Sequence, residues 1–414
     1  MNAELKIAVI SINYAPELTG IAVYTTGMAE HFAREAPVTV YTGFSYYPQW
    51  KKQRPDQGVW YRREQRNGVD LRRSYIYVPS RPSAWKRMLH ELSFVFSVSI
   101  AYLCGPRADC TVVVGPPLVL GLPVTLIAKL KKSRVIFHVQ DLQPDAAVDL
   151  GMLKPGWMVN MLFTLERWTY RLADRVSTIS EGMRKKIVYK GVQEDKVFIF
   201  PNWANAEQII PKDSNTAYRK EWGLADSAFV VLYAGNMGVK QGLGTLLEAA
   251  ALLDGLRNIF FVIVGEGGEK YRLTTQALRL GLKNVRFVGV QPFERLPDLL
   301  ATADVSVVPQ KKGVHDIVLP SKICNIMASQ RPLIAAAPQD SEFARLVTES
   351  ASGLVVEPED PVTMADAIKL LYGAEVQRKT MGYNGRRYVE RHLGYNAILG
   401  KFLGTMKDLV REGG

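Results

Sequence analysis

The residues best suited to chemistry lie between positions 314 and 331, in the run VHDIVLPSKICNIMASQR. Pro320 and Ser321 stand just before Ile323, Ile326 and Met327, which recur at helical spacing, so a helix is expected to start near Ser321. A helix start offers unpaired N–H groups and positive partial charge to an anion, and Lys322 adds a full charge at the same end. A lysine in a first helical turn opposes the helix dipole. A bound phosphate would supply the missing negative charge, whereas plain solvent exposure would cost only roughly 0.3–1 kcal/mol.

Three glycine turns in the second half follow strand-like runs. In the first, from Gly235 to Gly242, glycine permits close backbone approach, and Lys240, set among Asn236, Gly238 and Gln241, can meet a phosphate. A tight turn with a solvated lysine is the competing reading. The second turn, around Gly265 and Gly267, half-matches a dinucleotide fingerprint but lacks its third spaced glycine and carries Glu266 inside the turn. The third places Val290 where backbone could lie against a flat base, or where an ordinary strand-to-helix turn would serve. In the first half, His138 and Asp141, with Asp145 beyond them, gather polar groups at a strand end, the position of a catalytic candidate or of a hydrogen-bonded core histidine. Glu17, Thr19, Gly20 and the rings of Tyr46 and Tyr47 occupy loops expected at the same edge, where aromatic faces suit a sugar or a covered loop.

Positioning these groups requires strands that end beside one another. β-branched runs at LKIAVISI, PVTVYTGF, VDLRRSYIYVP, CTVVVG, SRVIFHV, RVSTIS and KVFIF alternate with helical segments. Six further runs follow, AFVVLYAG, IFFVIVG, NVRFVGV, DVSVVPQ, RPLIAAAP and SGLVVEP. This alternation predicts an α/β chain with two doubly wound parallel sheets, whose ligands sit at the carboxyl ends of the strands. The stretch from Pro201 to Leu224, rich in Asn, Pro and charge, reads as the linker. The expected domains are 1–205, 206–390 and a helical tail, 391–414, that crosses back to the first half.

At 414 residues the chain exceeds what one core usually serves. Its 52 Lys and Arg against 40 Asp and Glu, a formal charge of +12, favour a polyanionic partner. Nucleic acid is disfavoured, because no zinc-finger spacing, RNP-type aromatic signature or long basic tail is present. Cys104, Cys110 and Cys324 suggest neither a disulfide framework nor a metal site, which fits a reducing cytosol. The apolar start of the chain reads as a strand and not a signal peptide. The segment Leu92–Cys104, preceded by Trp85, Lys86 and Arg87, is too short to span a bilayer and is expected as a buried helix or a monotopic membrane contact.

Taken in order, NYAPELTG, SYYPQW, HVQD, STIS, FPNW, GNMGVKQG, VGEGG, VLPSK and MASQRP cover nearly the whole chain. This set resembles the retaining GT-B glycosyltransferases of family 4, and among them the colanic acid fucosyltransferase group and its O-antigen N-acetyl-fucosamine transferase relatives. The resemblance implies two Rossmann-like domains facing across a cleft, the N-terminal one for an acceptor and the C-terminal one for a nucleotide-sugar. It implies that Gly20 meets the donor phosphates, that Lys240 and Lys322 are the cations for the diphosphate, and that His138 and Asp141 lie beside the reacting sugar. It places Gly265 and Gly267 along the nucleotide and Val290 near its base. The chain departs from the family where two glutamates are usual, at Ile317 and Asn325, and has Gln330 in place of a glycine. Asn325 retains the means to bond a ribose hydroxyl.

What the resemblance implies is metal-independent transfer from a nucleotide-sugar, GDP-fucose first and a UDP-sugar second, to a lipid-linked saccharide at the cytoplasmic face of the inner membrane. A nucleotide-sugar epimerase and a non-catalytic nucleotide-sugar or lipid-binding protein are the rival readings. A dehydrogenase is disfavoured, because no G-x-G-x-x-G opens a helix with an acid about 20 residues on.

Overall fold

The computed structural model describes residues 4–17, 20–47, 49–149, 156–203, 206, 208–214, 217–313 and 322–412. The chain divides into two compact units, Met1–Pro201 with Ile398–Gly414, and Asn202–Ala397.

The first unit holds strands β1 (Ile7–Ile10), β2 (Val38–Gly43), β3 (Tyr61–Arg66), β4 (Val69–Ser74), β5 (Cys110–Gly115), β6 (Arg134–Val139), β7 (Arg175–Thr178) and β8 (Val197–Ile199). They form one sheet in the order β3-β4-β2-β1-β5-β6-β7-β8, parallel except for β3. β1 and β5 are buried at every position, as strands covered on both faces must be, and pair in register with Val9 opposite Val112. β3, YRREQR, is an exposed edge strand whose charged side chains guard the open edge. No strand is expected here from the sequence, because the strand has no apolar side to give it away.

The helices of this unit are α1 (Ile21–Phe32), α2 (Ala84–Leu103), α3 (Gly121–Leu130), α4 (Gln143–Asp149), α5 (Trp157–Leu172) and α6 (Glu181–Tyr189). α2 is the apolar segment expected either as core or as membrane contact. One of its sides is core, with Phe94, Val98 and Tyr102 fully buried; the other exposes Trp85, Met88, Leu92, Phe96, Ile100 and Leu103 at steps of three and four. No helix among the described residues is long and apolar enough to cross a membrane.

The second unit holds β9 (Phe229–Ala234), β10 (Ile259–Val264), β11 (Val285–Val288), β12 (Val305–Pro309), β13 (Leu333–Ala336) and β14 (Gly353–Val356), all parallel, in the order β11-β10-β9-β12-β13-β14. Its helices are α7 (Ala217–Glu221), α8 (Gly244–Leu252), α9 (Lys270–Arg279), α10 (Leu296–Ala301), α11 (Lys322–Ala328), α12 (Glu342–Glu349), α13 (Pro361–Gly373) and α14 (Glu375–His392). Val231, Leu246, Ile263, Ile334 and Ile368 belong to its core. α7 falls in the stretch read as linker, yet Arg219 on it is buried and donates to Ala228 O (2.7 Å), Thr302 O (3.1 Å) and the Asp304 carboxylate (2.7 Å). The last helix, α15 (Tyr395–Arg411), counts with the first unit from Ile398 on; there Phe402 stacks on Phe32 and Phe200.

α11 is fixed from its C-terminal end. Gly382 and Gly385 let α14 come close: a Cβ at Gly382 would meet Gln330 O at 2.2 Å, and one at Gly385 would meet Met327 Cβ at 3.4 Å. Arg386 donates to Ala328 O (2.8 Å) and Ile209 O (2.7 Å). The helix ends in a Schellman turn, with Arg331 N donating to Ile326 O and Gln330 left-handed at φ +59°. That conformation explains the family's glycine, since a side chain there costs roughly 1–2 kcal/mol in strain. Gln330→Gly should therefore stabilise the protein by about 0.5–1 kcal/mol once the added chain entropy of glycine is deducted, a gain to be read from urea unfolding.

Candidate functional site

In the second sheet the chain runs outward from β9 through β10 to β11, then returns to start again at β12 on the other side of β9. The crevice between the ends of β9 and β12 is thus the topological switch point, where a doubly wound sheet leaves room for a ligand. The turn Gly235–Gly242 follows β9, and Lys322 opens α11 after β12.

Glycine is required here by close approach. A Cβ on Gly265 would lie 2.0 Å from Gly235 O, and one on Gly267 would lie 2.3 Å from Met237 O. Met237 N donates to Glu266 O (2.8 Å) and Glu269 N to Met237 O (2.9 Å), so the loops after β9 and β10 form one backbone fabric. Gln241 Oε1 accepts from Gly238 N (3.1 Å), and Lys240 O accepts from Lys311 N (2.9 Å), tying the turn to the end of β12. Lys240 itself is half-buried, Asn236 is exposed, and Val290 lies exposed two residues past β11.

Lys322 is aimed across this fabric. Its Nζ lies 4.1 Å from the Tyr233 ring centroid and would be 2.8 Å from a Cβ on Gly235. Tyr233 is buried and donates its hydroxyl to Asn236 O (2.6 Å), which holds the ring face under the ammonium. Among the described residues no carboxylate lies within ion-pair distance of Lys322. Burial of the ammonium end lowers its pKa from 10.5 to about 7. Asn325 follows one helical turn along α11 and is half-buried. Pro320, Ser321 and Ile317 lie outside the described residues, as does Thr19, so the cation and the glycine fabric carry the site without the expected helix entry.

In the first unit the equivalent switch point lies between β1 and β5. Gly20, exposed and left-handed at φ +60°, caps α1 beside it. Glu17, on a loop expected at this edge, fastens two loops: its carboxylate accepts from Tyr46 N (2.8 Å), Tyr47 N (3.0 Å) and Asn13 Nδ2 (2.6 Å). Burial raises its pKa against these bonds. Tyr46 is likewise buried, its ring set against His90 (4.4 Å between centroids) and Trp50 (5.3 Å), whereas Tyr47 is exposed.

His138, expected beside the reacting sugar, is fully buried at the end of β6. Gln140 Nε2 donates to its Nε2 (2.8 Å), which leaves the proton on Nδ1, 2.9 Å from Ser177 Oγ. Burial lowers its pKa to about 3, so it is a neutral group that orients Gln140 and not a proton shuttle near neutral pH. Asp141 is half-buried in the next loop. Asp145 is committed to Lys190 (2.5 Å), which also meets Glu166 (2.6 Å), so it takes no part in the cluster the sequence suggests.

A sheet with nucleotide-type glycine loops and, among the described residues, a cation without a carboxylate partner at its switch point, in a chain with a second, mostly parallel sheet, is a GT-B architecture. Residues 19–203 match the glycosyl transferase 4-like domain and residues 214–388 the glycosyl transferases group 1. The chain is 36% identical over 415 residues, 97% of its length and 100% of the relative's, to the Escherichia coli protein named colanic acid biosynthesis glycosyl transferase WcaI. The chain belongs to this glycosyltransferase family. Its fold matches sucrose-phosphate synthase from Thermosynechococcus elongatus (TM-score 0.78, 18% identity, 99% of this chain and 100% of that one). It also matches Anabaena HepE, solved with UDP and glucose (TM-score 0.73, 14% identity, 98% and 100%).

The buried ammonium has a cost in the unliganded protein. Unfolded, Lys322 holds its proton up to its ordinary value of 10.5, whereas folded it releases it near 7; the penalty is therefore full below pH 7 and fades as pH rises toward 10. Lys322→Met should stabilise the unliganded chain by about 0.5–2 kcal/mol at pH 6 and flatten that pH dependence, as followed by thermal unfolding. Glu17→Ala should destabilise by about 1–3 kcal/mol through the two backbone N–H groups it strands, measured the same way.

Proposed function

We propose that the chain transfers a sugar from a nucleoside-diphosphate sugar to a lipid-linked saccharide, with retention at the anomeric carbon, in the assembly of a surface polysaccharide. The observation that carries this is the Lys322 ammonium over Gly235 at the switch point, a positive charge with backbone close enough for a diphosphate to lie against it. The polysaccharide role is supported by the name of the Escherichia coli relative, and a nucleotide donor by the UDP bound in HepE. GDP-fucose is the first donor to test and UDP-sugars the second.

As the sugar–phosphate bond breaks, negative charge grows on the departing diphosphate. Lys322, with Lys240 and the backbone of the Gly235–Gly242 turn, stabilises that charge more than it stabilises the intact donor, which is what lowers a barrier. The acceptor hydroxyl attacks on the face the diphosphate leaves, and a phosphate oxygen takes its proton. Asn325 bonds the ribose, and Gly20 approaches the phosphates. In this reading lysine and backbone do the work of a divalent cation, so EDTA-treated enzyme keeps its activity. Transfer takes place at the cytoplasmic face of a membrane, where the acceptor's lipid is anchored.

A thermal-shift panel of GDP, UDP, dTDP and ADP tests the donor site, since a ligand that binds the folded chain raises its apparent stability. One nucleoside diphosphate should stand out, its affinity falling as pH rises above 7 because binding must restore the Lys322 proton. Lys322→Ala should then lower turnover by about 10- to 1,000-fold, on the scale of one preorganised charge contact. A flat panel together with unchanged turnover would remove the reading.

A further inference from the structure

The loop after β2 and the first half of α2 meet over one buried imidazole. His90, on α2, is 2% accessible. Its Nδ1–H donates to Tyr77 O, and Tyr77 N donates to Ser93 Oγ (2.8 Å), so the segment between β4 and α2 fixes the ring. Burial holds the His90 pKa below its ordinary value, and the charges of Lys52 and Arg87 add to that. The ring is therefore neutral with its proton on Nδ1, and Nε2 carries a lone pair. Among the described residues nothing donates to it. A buried acceptor left in this way is costly, and a donor from outside the fold would satisfy it.

Two rings from the loop after β2 close over the imidazole, Tyr46 at 4.4 Å and Trp50 at 5.2 Å between centroids. They are held differently. Tyr46 is buried and its N–H is fastened by Glu17 (2.8 Å). Trp50 is half-buried at φ +52°, a left-handed conformation that a bulky side chain rarely adopts. Leaving that conformation relieves strain, so Trp50 is the part of the cover that can yield.

Glu91 follows His90 and is half-buried. Among the described residues it has no hydrogen bond, and burial raises its carboxyl to about 7 with only the Arg87 charge opposing. Its charge also reaches the Tyr46 hydroxyl. A lone pair and a carboxyl thus stand beside one another among aromatic rings, which suits a partner with hydroxyl donors around an apolar ring face. The segments after β2 and β4 place them at the carboxyl ends of the first sheet's parallel strands.

We propose that His90 and Glu91 form a saccharide subsite of the first unit, in which His90 Nε2 and the Glu91 carboxyl each accept from a hydroxyl of a pyranose ring while Trp50 moves aside. A phosphate fits less well, since the His90 lone pair can only accept. The subsite deepens the acceptor half of the proposed function, because the pyranose it holds is the acceptor's, and it does not depend on the donor.

Ring-nitrogen NMR of the full chain carrying isotope-labelled histidine tests it, with methyl glycosides of glucose, galactose and fucose as probes. The chain has five histidines, and His90 is assigned by its loss in His90→Asn, which keeps a donor to Tyr77 O and removes Nε2. At least one glycoside should move the His90 Nε2 signal upfield, as a lone pair does on accepting a hydrogen bond. His90→Asn and Glu91→Leu should each weaken that glycoside's binding about tenfold, on the scale of one hydrogen bond. An Nε2 signal that none of the three moves would overturn the proposal, as would glycoside binding, followed by saturation transfer, that both variants leave at wild-type strength. Nucleoside-diphosphate thermal shifts read the donor site separately. A still Nε2 signal beside a clear thermal shift refutes the subsite alone, and a moving signal beside a flat thermal-shift panel supports the subsite and counts against the donor reading.

Discussion

Among the described residues the Lys322 ammonium has no carboxylate within ion-pair distance, and a cation held that way is a charge kept for something else. At Lys322 the described surroundings are an aromatic face and a bare glycine backbone, which soften the loss of water without neutralising the cation. Most of the second unit is arranged so that this can persist. α14 clamps the far end of α11, Tyr233 is fastened by Asn236 O, and the loops after β9 and β10 are bonded to each other and not to the lysine. The glycine loops and Tyr233 are thus held by bonds that need no ligand.

The first unit shows a different economy. Three carboxylates near the sheet edge serve the architecture: Glu17 ties two loops, and Asp145 and Glu166 meet Lys190. His138 is neutral and bonded at both nitrogens.

The strands were legible in the sequence because parallel strands buried on both faces leave unbroken apolar runs, as in CTVVVG and FVVLYA. β3 left no such trace, and neither did the role of Arg219, since a buried arginine satisfied by carbonyls looks like any charged residue in a polar stretch. The glycine turns and Lys322 could be picked out singly; that they meet at one switch point depends on strand order, which local patterns do not encode. Glu17 was visible as a polar loop residue, but its use as a clasp needed Tyr46 and Tyr47, whose N–H groups lie 29 and 30 positions away. Gln330 gained its meaning only from a φ angle.

The course of α15 bears on the order in which the protein can be made. The first unit takes in residues from Ile398 on, and Phe402 stacks there on Phe32 and Phe200. During synthesis the 196 residues of the second unit, Asn202–Ala397, emerge after most of the first unit and before its closing helix. The second unit can reach its complete core while the first still has an aromatic surface uncovered. The N-terminal half of this chain is thus the first to be synthesised and the last to be sealed.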